Sequence, residues 1–290
     1  MWILFTLLAA FMQAWRNAFQ SQLSKEVKVA GVTLARFLWA APIAALYLVC
    51  LYLWQPVGWP DITAEFSLYV LGASAGQILA TVLMVKLFKL KNFAIGAGLA
   101  KSEALVAAFL GVLFFGTQLT GLGWLGVIIG GLAVFMMSSA KGFKDISFKT
   151  ALIGIACGTG FALTSLWVRE ASLILNLPFP HRAAWVLLFV ITLQTIVLLV
   201  YLLYTDKQTL LDLIDRPKPT FLISFTSCIG SIGWFSAMSL QAVPYVKTLG
   251  QIEVFFTLLI SMFWLKQKVA IKDMLALILI ALAAIMVVWR

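Results

Sequence analysis

Runs such as LGWLGVIIGGLAVFMM (residues 122–137) and MLALILIALAAIMVVW (residues 274–289) are apolar on every side, so no folding of the chain in water could give them a solvent-facing surface. Ten such segments can be read, at 2–23, 29–53, 66–88, 92–115, 121–140, 148–168, 183–204, 219–240, 243–265 and 270–289. Each is about long enough to cross a hydrocarbon core of ~30 Å as a helix. The runs do not alternate apolar with polar residues as barrel strands do, so the fold class expected is an all-α membrane protein with ten transmembrane helices. Composition agrees: of 290 residues 63% are apolar or aromatic and 11% charged, with a mean hydropathy of +1.03, far from the soluble range. Arg16 inside the first segment, and no basic stretch before it, point to a retained helix and not a cleaved signal peptide.

The net charge of +10 sits mostly in the connections and is read as orientation, not as a nucleic-acid surface. Lys25, Lys28, Lys86, Lys89, Lys91, Lys141, Lys144, Lys149, Lys207, Arg216, Lys218, Lys266, Lys268 and Lys272 fall on one face, against Arg169, Arg182 and Arg290 on the other. The positive-inside rule then places the odd-numbered loops in the cytoplasm and both termini outside a multi-pass protein of the cytoplasmic membrane. Cys50, Cys157 and Cys228 lie inside spans without metal spacing, so neither disulfides nor zinc are expected. No nucleotide loop is present and no cofactor is expected. His181, the sole histidine, has no nucleophile at a motif spacing, so an intramembrane enzyme is disfavoured.

Sliding the chain by 150 residues aligns 87–137 with 237–287 without a gap. Identities are few, but Glu103 meets Glu253, the two acids inside spans, and the loop GTQLTG meets KQKVAI, which carries two lysines where its mate carries none. Five helices per half is an odd number, so the second half must run inverted. The expectation is two inverted five-helix repeats, 1–145 and 146–290, in one integral membrane domain, an architecture used by transporters with a site at the shared midplane.

With ten spans, the stretch LARFLWAAP in the second and FFG closing the fourth before a glycine-rich fifth, the chain resembles the EamA-type members of the drug/metabolite transporter superfamily. It departs from many of them in having Gly116-Thr117 and Lys266-Gln267 where a Gly-Glu pair often stands. The resemblance implies a secondary active transporter, here expected to be a proton-coupled exporter of a small polar, zwitterionic or anionic metabolite working by alternating access. Exchange of phosphorylated or carboxylated solutes, or flipping of a lipid head group, are the alternatives. The partners expected are solute, protons and membrane lipid, with no nucleic acid, for a monomer or weak dimer. The resemblance also implies that the fifth and tenth helices pair at the side of the bundle, where Gly126 and Gly130 permit close approach.

Glu103 and Glu253 each fall ~15 Å from a membrane edge at 1.5 Å per residue, where an ionised carboxylate must be paired, protonated or wet. Lys101 and Glu103 lie roughly 200° apart on a helix and need different partners, whereas Lys247 and Gln251 share a face. Arg16 and Arg36 are expected either to line the same cavity or to snorkel to the cytoplasmic surface. Gln13, Gln77 and Gln251 are candidate polar lining, and Trp15, Trp39 and Trp234 are deep enough to stack on a solute. Pro42 is expected to kink the second helix and Pro244 to open the ninth.

Overall fold

A computed structural model describes residues 1–90, 102–138, 148–264 and 271–289. Thirteen α-helices and no strand occur among them: α1 (Trp2–Leu23), α2 (Val29–Ala35), α3 (Ala40–Trp54), α4 (Ala64–Leu90), α5 (Glu103–Phe114), α6 (Gly121–Ser138), α7 (Phe148–Ile174), α8 (His181–Thr205), α9 (Lys207–Ile214), α10 (Pro217–Leu240), α11 (Val243–Leu249), α12 (Glu253–Phe263) and α13 (Ile271–Val288). Six described segments are long and apolar enough to cross a membrane: Val29–Trp54, Ala64–Lys89, Lys149–Ile174, His181–Thr205, Pro217–Leu240 and Val243–Phe263. Shorter apolar helices run over Glu103–Phe114, Gly121–Ala133 and Leu277–Val288. In α1 the apolar sequence is interrupted by Gln13, Arg16, Asn17 and Gln20.

The distribution of side chains inverts that of a water-soluble protein. Leu4, Leu53, Leu68, Leu113 and Phe114 face outward, while Arg16, Asn17, Gln20, Arg36, Gln194, Glu103 and Glu253 are buried. In hydrocarbon the polar groups find partners only in the interior, so the polar residues set which helix face turns inward.

Two of the expected continuous spans are broken. The segment 29–53 divides into α2 and α3 around Arg36–Trp39, ahead of Pro42. Pro42 therefore sits in the first turn of α3, where a missing N–H costs least, and does not itself kink a helix. The break is held from outside the segment: the Ser224 hydroxyl on α10 donates to Ala35 O (2.6 Å) and accepts from the Trp39 amide (3.1 Å). The segment 243–265 divides at a 3₁₀ turn, Gly250–Ile252. Pro244 opens α11 as expected. As a consequence Glu253 is the first residue of α12, and Glu103 is likewise the first residue of α5. A carboxylate is favoured at such a position by the helix dipole.

Helix α1 lies against α10 and α12, α4 against α7, α5 against α7, α3 against α8, and α6 against α13. Small residues set the closest approaches. A Cβ on Gly126 of α6 would stand 3.0 Å from Ala283 O of α13. On α10 a Cβ at Gly233 would lie 2.7 Å from Phe5 O and 2.9 Å from the Ala9 Cβ, with only backbone and a methyl in the way. Gly233→Ala is therefore expected to lower the thermal unfolding midpoint, at about 1–3 kcal/mol. Gly230→Ala on the same helix, whose nearest atom is 3.5 Å away, is expected to leave the midpoint unchanged. Equal midpoints for the two variants would overturn this account of the α1–α10 contact.

At the end of the bundle where α1 gives way to α2, the connecting loop is tied to α9 and its flanks. Lys28 Nζ meets Asp206 Oδ2 at 2.7 Å and Arg216 Nε meets Glu26 Oε2 at 2.8 Å. The hydrogen bond from Lys28 holds the Asp206 carboxyl below its usual range. These pairs are exposed and fix the position of the loop more than they add stability.

Candidate functional site

The broken helices, α1, α10 and α7 surround one cavity in the middle of the bundle. Its lining brings together Gln13, Arg16, Arg36, Gln77, Glu103, Trp234, Lys247 and Glu253, eight of the residues singled out from sequence. The free space left among them is about 30 Å³, room for about two waters and no metabolite. In this conformation the cavity is too small to hold a solute.

Each glutamate has its own set of partners. Glu103 Oε1 is 2.7 Å from Lys247 Nζ and accepts from the Ser165 hydroxyl at 3.1 Å. Lys247 also lies over the Trp234 ring, 4.1 Å from its centroid, a desolvated cation–π contact. Glu253 accepts from two amides: Gln13 Nε2 donates to Oε2, and Asn17 Nδ2 donates to Oε1 at 2.9 Å. Gln13 is fixed in turn by the Trp234 indole, whose Nε1 donates to Gln13 Oε1 at 2.9 Å.

The two arginines do not snorkel. Both are about 2% exposed, because each finds neutral acceptors inside the bundle. Arg16 donates through Nε (3.1 Å) and Nη2 (2.7 Å) to Asn17 Oδ1. Arg36 donates through Nη1 to Thr81 Oγ1 (2.6 Å) and through Nε to Ser227 Oγ (3.3 Å), and its guanidinium lies 5.3 Å from the Phe37 and 5.7 Å from the Phe161 ring centroid. Gln77 Oε1 accepts from Gln194 Nε2 at 2.7 Å.

Three expected site residues lie elsewhere. Gln251 does not line the cavity with Lys247; the 3₁₀ turn that contains it carries it further round the helix than α-helical spacing would. Its carboxamide is instead buried against Gly130 of α6, which gives that glycine a different neighbour from the helix pairing expected of it. Trp15 packs at a tilt against Phe19 and Trp264, at 5.6 Å from each, and belongs to an aromatic cluster beside the cavity. Trp39, 48% exposed, lines an apolar groove on the outer surface with Leu199, Leu210 and Ile214. The break at Arg36–Trp39 turns it outward. Lys101 lies outside the described residues.

Sequence reading missed Asn17, Thr81, Ser165 and Ser227. One signal was present: Ser224, Ser227 and Ser231 recur at spacings of three and four on α10, one face of a helix, and Ser227 and Ser231 meet the cavity or its arginine. His181 is fully buried at the start of α8, edge-on to the Tyr52 ring at 5.0 Å, and takes no part in the cavity.

No protein-family model matches the chain, and no curated protein matches it in sequence. Among solved structures, a crystal structure of a protein superposes with a TM-score of 0.66 at 15% identity, covering 97% of this chain and 95% of the other. A likeness at that identity is one of fold. Fold and site together define, over the described residues, a helical chain with six membrane-length apolar segments and a small, charged cavity among its helices.

Proposed function

We propose that the protein is a secondary active transporter of small polar metabolites, anionic or zwitterionic, coupled to protons through a buried glutamate. The observation that carries this reading is the crossing of partners in the cavity. Glu103 belongs to the first half of the chain and is held by Ser165 and Lys247 of the second; Glu253 belongs to the second and is held by Gln13 and Asn17 of the first. Moving the halves relative to one another must break these contacts, so opening and the state of the carboxylates are linked. Buried ionisable groups of this kind in a membrane protein mark ion or substrate pathways.

The helix pairing supports the ten-span inverted repeat, with α2 and α3, and likewise α11 and α12, each counted as one span. Exchanging the halves turns α1–α10 into α4–α7 and α1–α12 into α5–α7, and returns α3–α8 and α6–α13 to themselves. The EamA-type resemblance agrees with this arrangement. Purified protein in liposomes, given a panel of labelled carboxylates, amino acids and phosphate esters, should accumulate at least one under an imposed pH gradient. Equal accumulation of the whole panel in empty liposomes would reject the proposal.

Orientation follows the loop cations. With the lysine-rich connections in the cytoplasm, a fluorescent protein that matures only there should stay dark when fused after Arg290. A bright fusion on correctly inserted protein would reverse the orientation and leave the site unaffected.

A further inference from the structure

Among the described residues the charges that line the cavity do not balance. Three cations, Arg16, Arg36 and Lys247, face two carboxylates, Glu103 and Glu253. One of the three is committed, since Lys247 is paired with Glu103. The two guanidiniums hydrogen bond to neutral oxygens of Asn17, Thr81 and Ser227. Arg16 Nη1 and Arg36 Nη2 have no acceptor among the described residues, although both side chains are buried and line the cavity. Glu253 and Glu103 act on Arg16, and Glu103 on Arg36, only through space, and a buried guanidinium in no direct ion pair is costly, on the order of several kcal/mol. Gln77 adds a donor, because its Oε1 is occupied by Gln194 and its NH₂ is the end left for the cavity.

From this juxtaposition we infer that the arginine side of the cavity is an anion subsite, in which Arg36, with Arg16 and Gln77, receives the carboxylate or sulfonate-like group of the solute, and that anion and proton bind cooperatively, as in symport. The inference rests on reading the cavity as a solute site. Arg36 is the anchor because its fork of N–H donors suits a planar or tetrahedral oxyanion, and the Phe161 ring beside it offers an apolar face for the carbon skeleton.

The sign of the coupling follows from the charges. Among the described residues, the charged groups that line the cavity with Glu253 are Arg16 on α1, Arg36 between α2 and α3, Lys247 on α11 and Glu103 on α5, with the Cys157 thiol of α7 beside Arg36. With both acids ionised the described lining carries one net positive charge; when Glu253 accepts a proton from the aqueous phase it carries two. An anion is therefore held more tightly by the protonated site, and by reciprocity a bound anion favours protonation. Proton and solute then travel together. Proton-driven export, the direction the resemblance implies, requires the opposite relation, in which each displaces the other.

The test uses the full chain in detergent, with lactate and methanesulfonate as probes, whose charge is constant between pH 5.5 and 7.5, and with lactamide as the neutral counterpart of lactate. Wild type should bind both anions and not lactamide, with the dissociation constant falling about tenfold from pH 7.5 to 5.5, within the range usual for coupled sites. Binding in weak buffer should take up protons. Glu253→Gln should bind equally tightly at both pH values without proton uptake. Arg36→Gln should lose anion binding; should that variant not fold, Arg36→Lys, which keeps the charge but not the fork, should bind about tenfold more weakly. Affinity that weakens as the pH falls, or that survives in the Arg36 variants, would overturn the inference. So would failure of both anions to bind at either pH, and in that case accumulation of some other solute in liposomes would leave the transporter reading standing.

Discussion

Glutamine in place of Glu253 is expected to abolish gradient-driven transport while leaving the protein folded. A gradient of one pH unit is worth about 1.4 kcal/mol, a tenfold accumulation at one proton per solute, and the variant should show none. Two features single out this acid. Two of its hydrogen-bonding partners, Gln13 and Asn17, are neutral amides that a glutamine can also satisfy after rotating its own amide. Glu103, by contrast, sits 2.7 Å from a lysine ammonium, which holds it as one half of an ion pair. Passive exchange of solute down its own gradient should persist in Glu253→Gln, because the protonated form that glutamine mimics is the form proposed to bind. Full accumulation by Glu253→Gln under the same gradient would remove Glu253 as the proton carrier.

How far the sequence reached depends on which physical signal each feature leaves. Long apolar runs report burial in hydrocarbon directly, and the helical fold follows from the need to satisfy backbone groups there. The charged residues inside those runs were equally legible. A charge in a span needs company, and Arg16, Arg36, Lys247, Glu103 and Glu253 all reached one cavity. The breaks at Arg36–Trp39 and Gly250–Ile252 left no such trace; at the first, a tertiary contact satisfies backbone groups that the break releases. Ser224, almost 190 residues from the first break, supplies both a donor and an acceptor to it. Once the breaks are missed, every facing argument that crosses one goes astray. Gln251 and Trp39 were lost in this way, whereas Trp15 lies on a continuous helix and was lost to ordinary aromatic packing. The hydroxyls of Thr81, Ser165 and Ser227 were silent for another reason: serine and threonine are common in spans and commonly bond to their own helix, as Ser165 and Thr81 also do here.

The ion pair between Glu103 and Lys247 gives the second large effect. Lys247 lies between a carboxylate and the Trp234 ring, with both its side chain and that of Glu103 about 10% exposed. Removing the ammonium leaves a buried carboxylate with Ser165 as its remaining described hydrogen-bond donor, and breaking a buried pair from one side costs about 3–5 kcal/mol. Lys247→Gln should therefore unfold at a markedly lower temperature than wild type, and Glu103→Gln should do the same by stranding the ammonium. The double variant Glu103→Gln, Lys247→Gln replaces two charges with two amides able to bond to each other, so it should regain most of the loss, a coupling that a double-mutant cycle on unfolding free energies measures. Strictly additive losses would show that the two groups are not an ion pair in the folded protein. A restored double variant also isolates the acids from one another, since it keeps Glu253, Gln13 and Asn17 untouched. Proton-driven accumulation by that variant, with none by Glu253→Gln, would place coupling on Glu253 and leave the Glu103–Lys247 pair as the contact that holds the two halves of the chain closed.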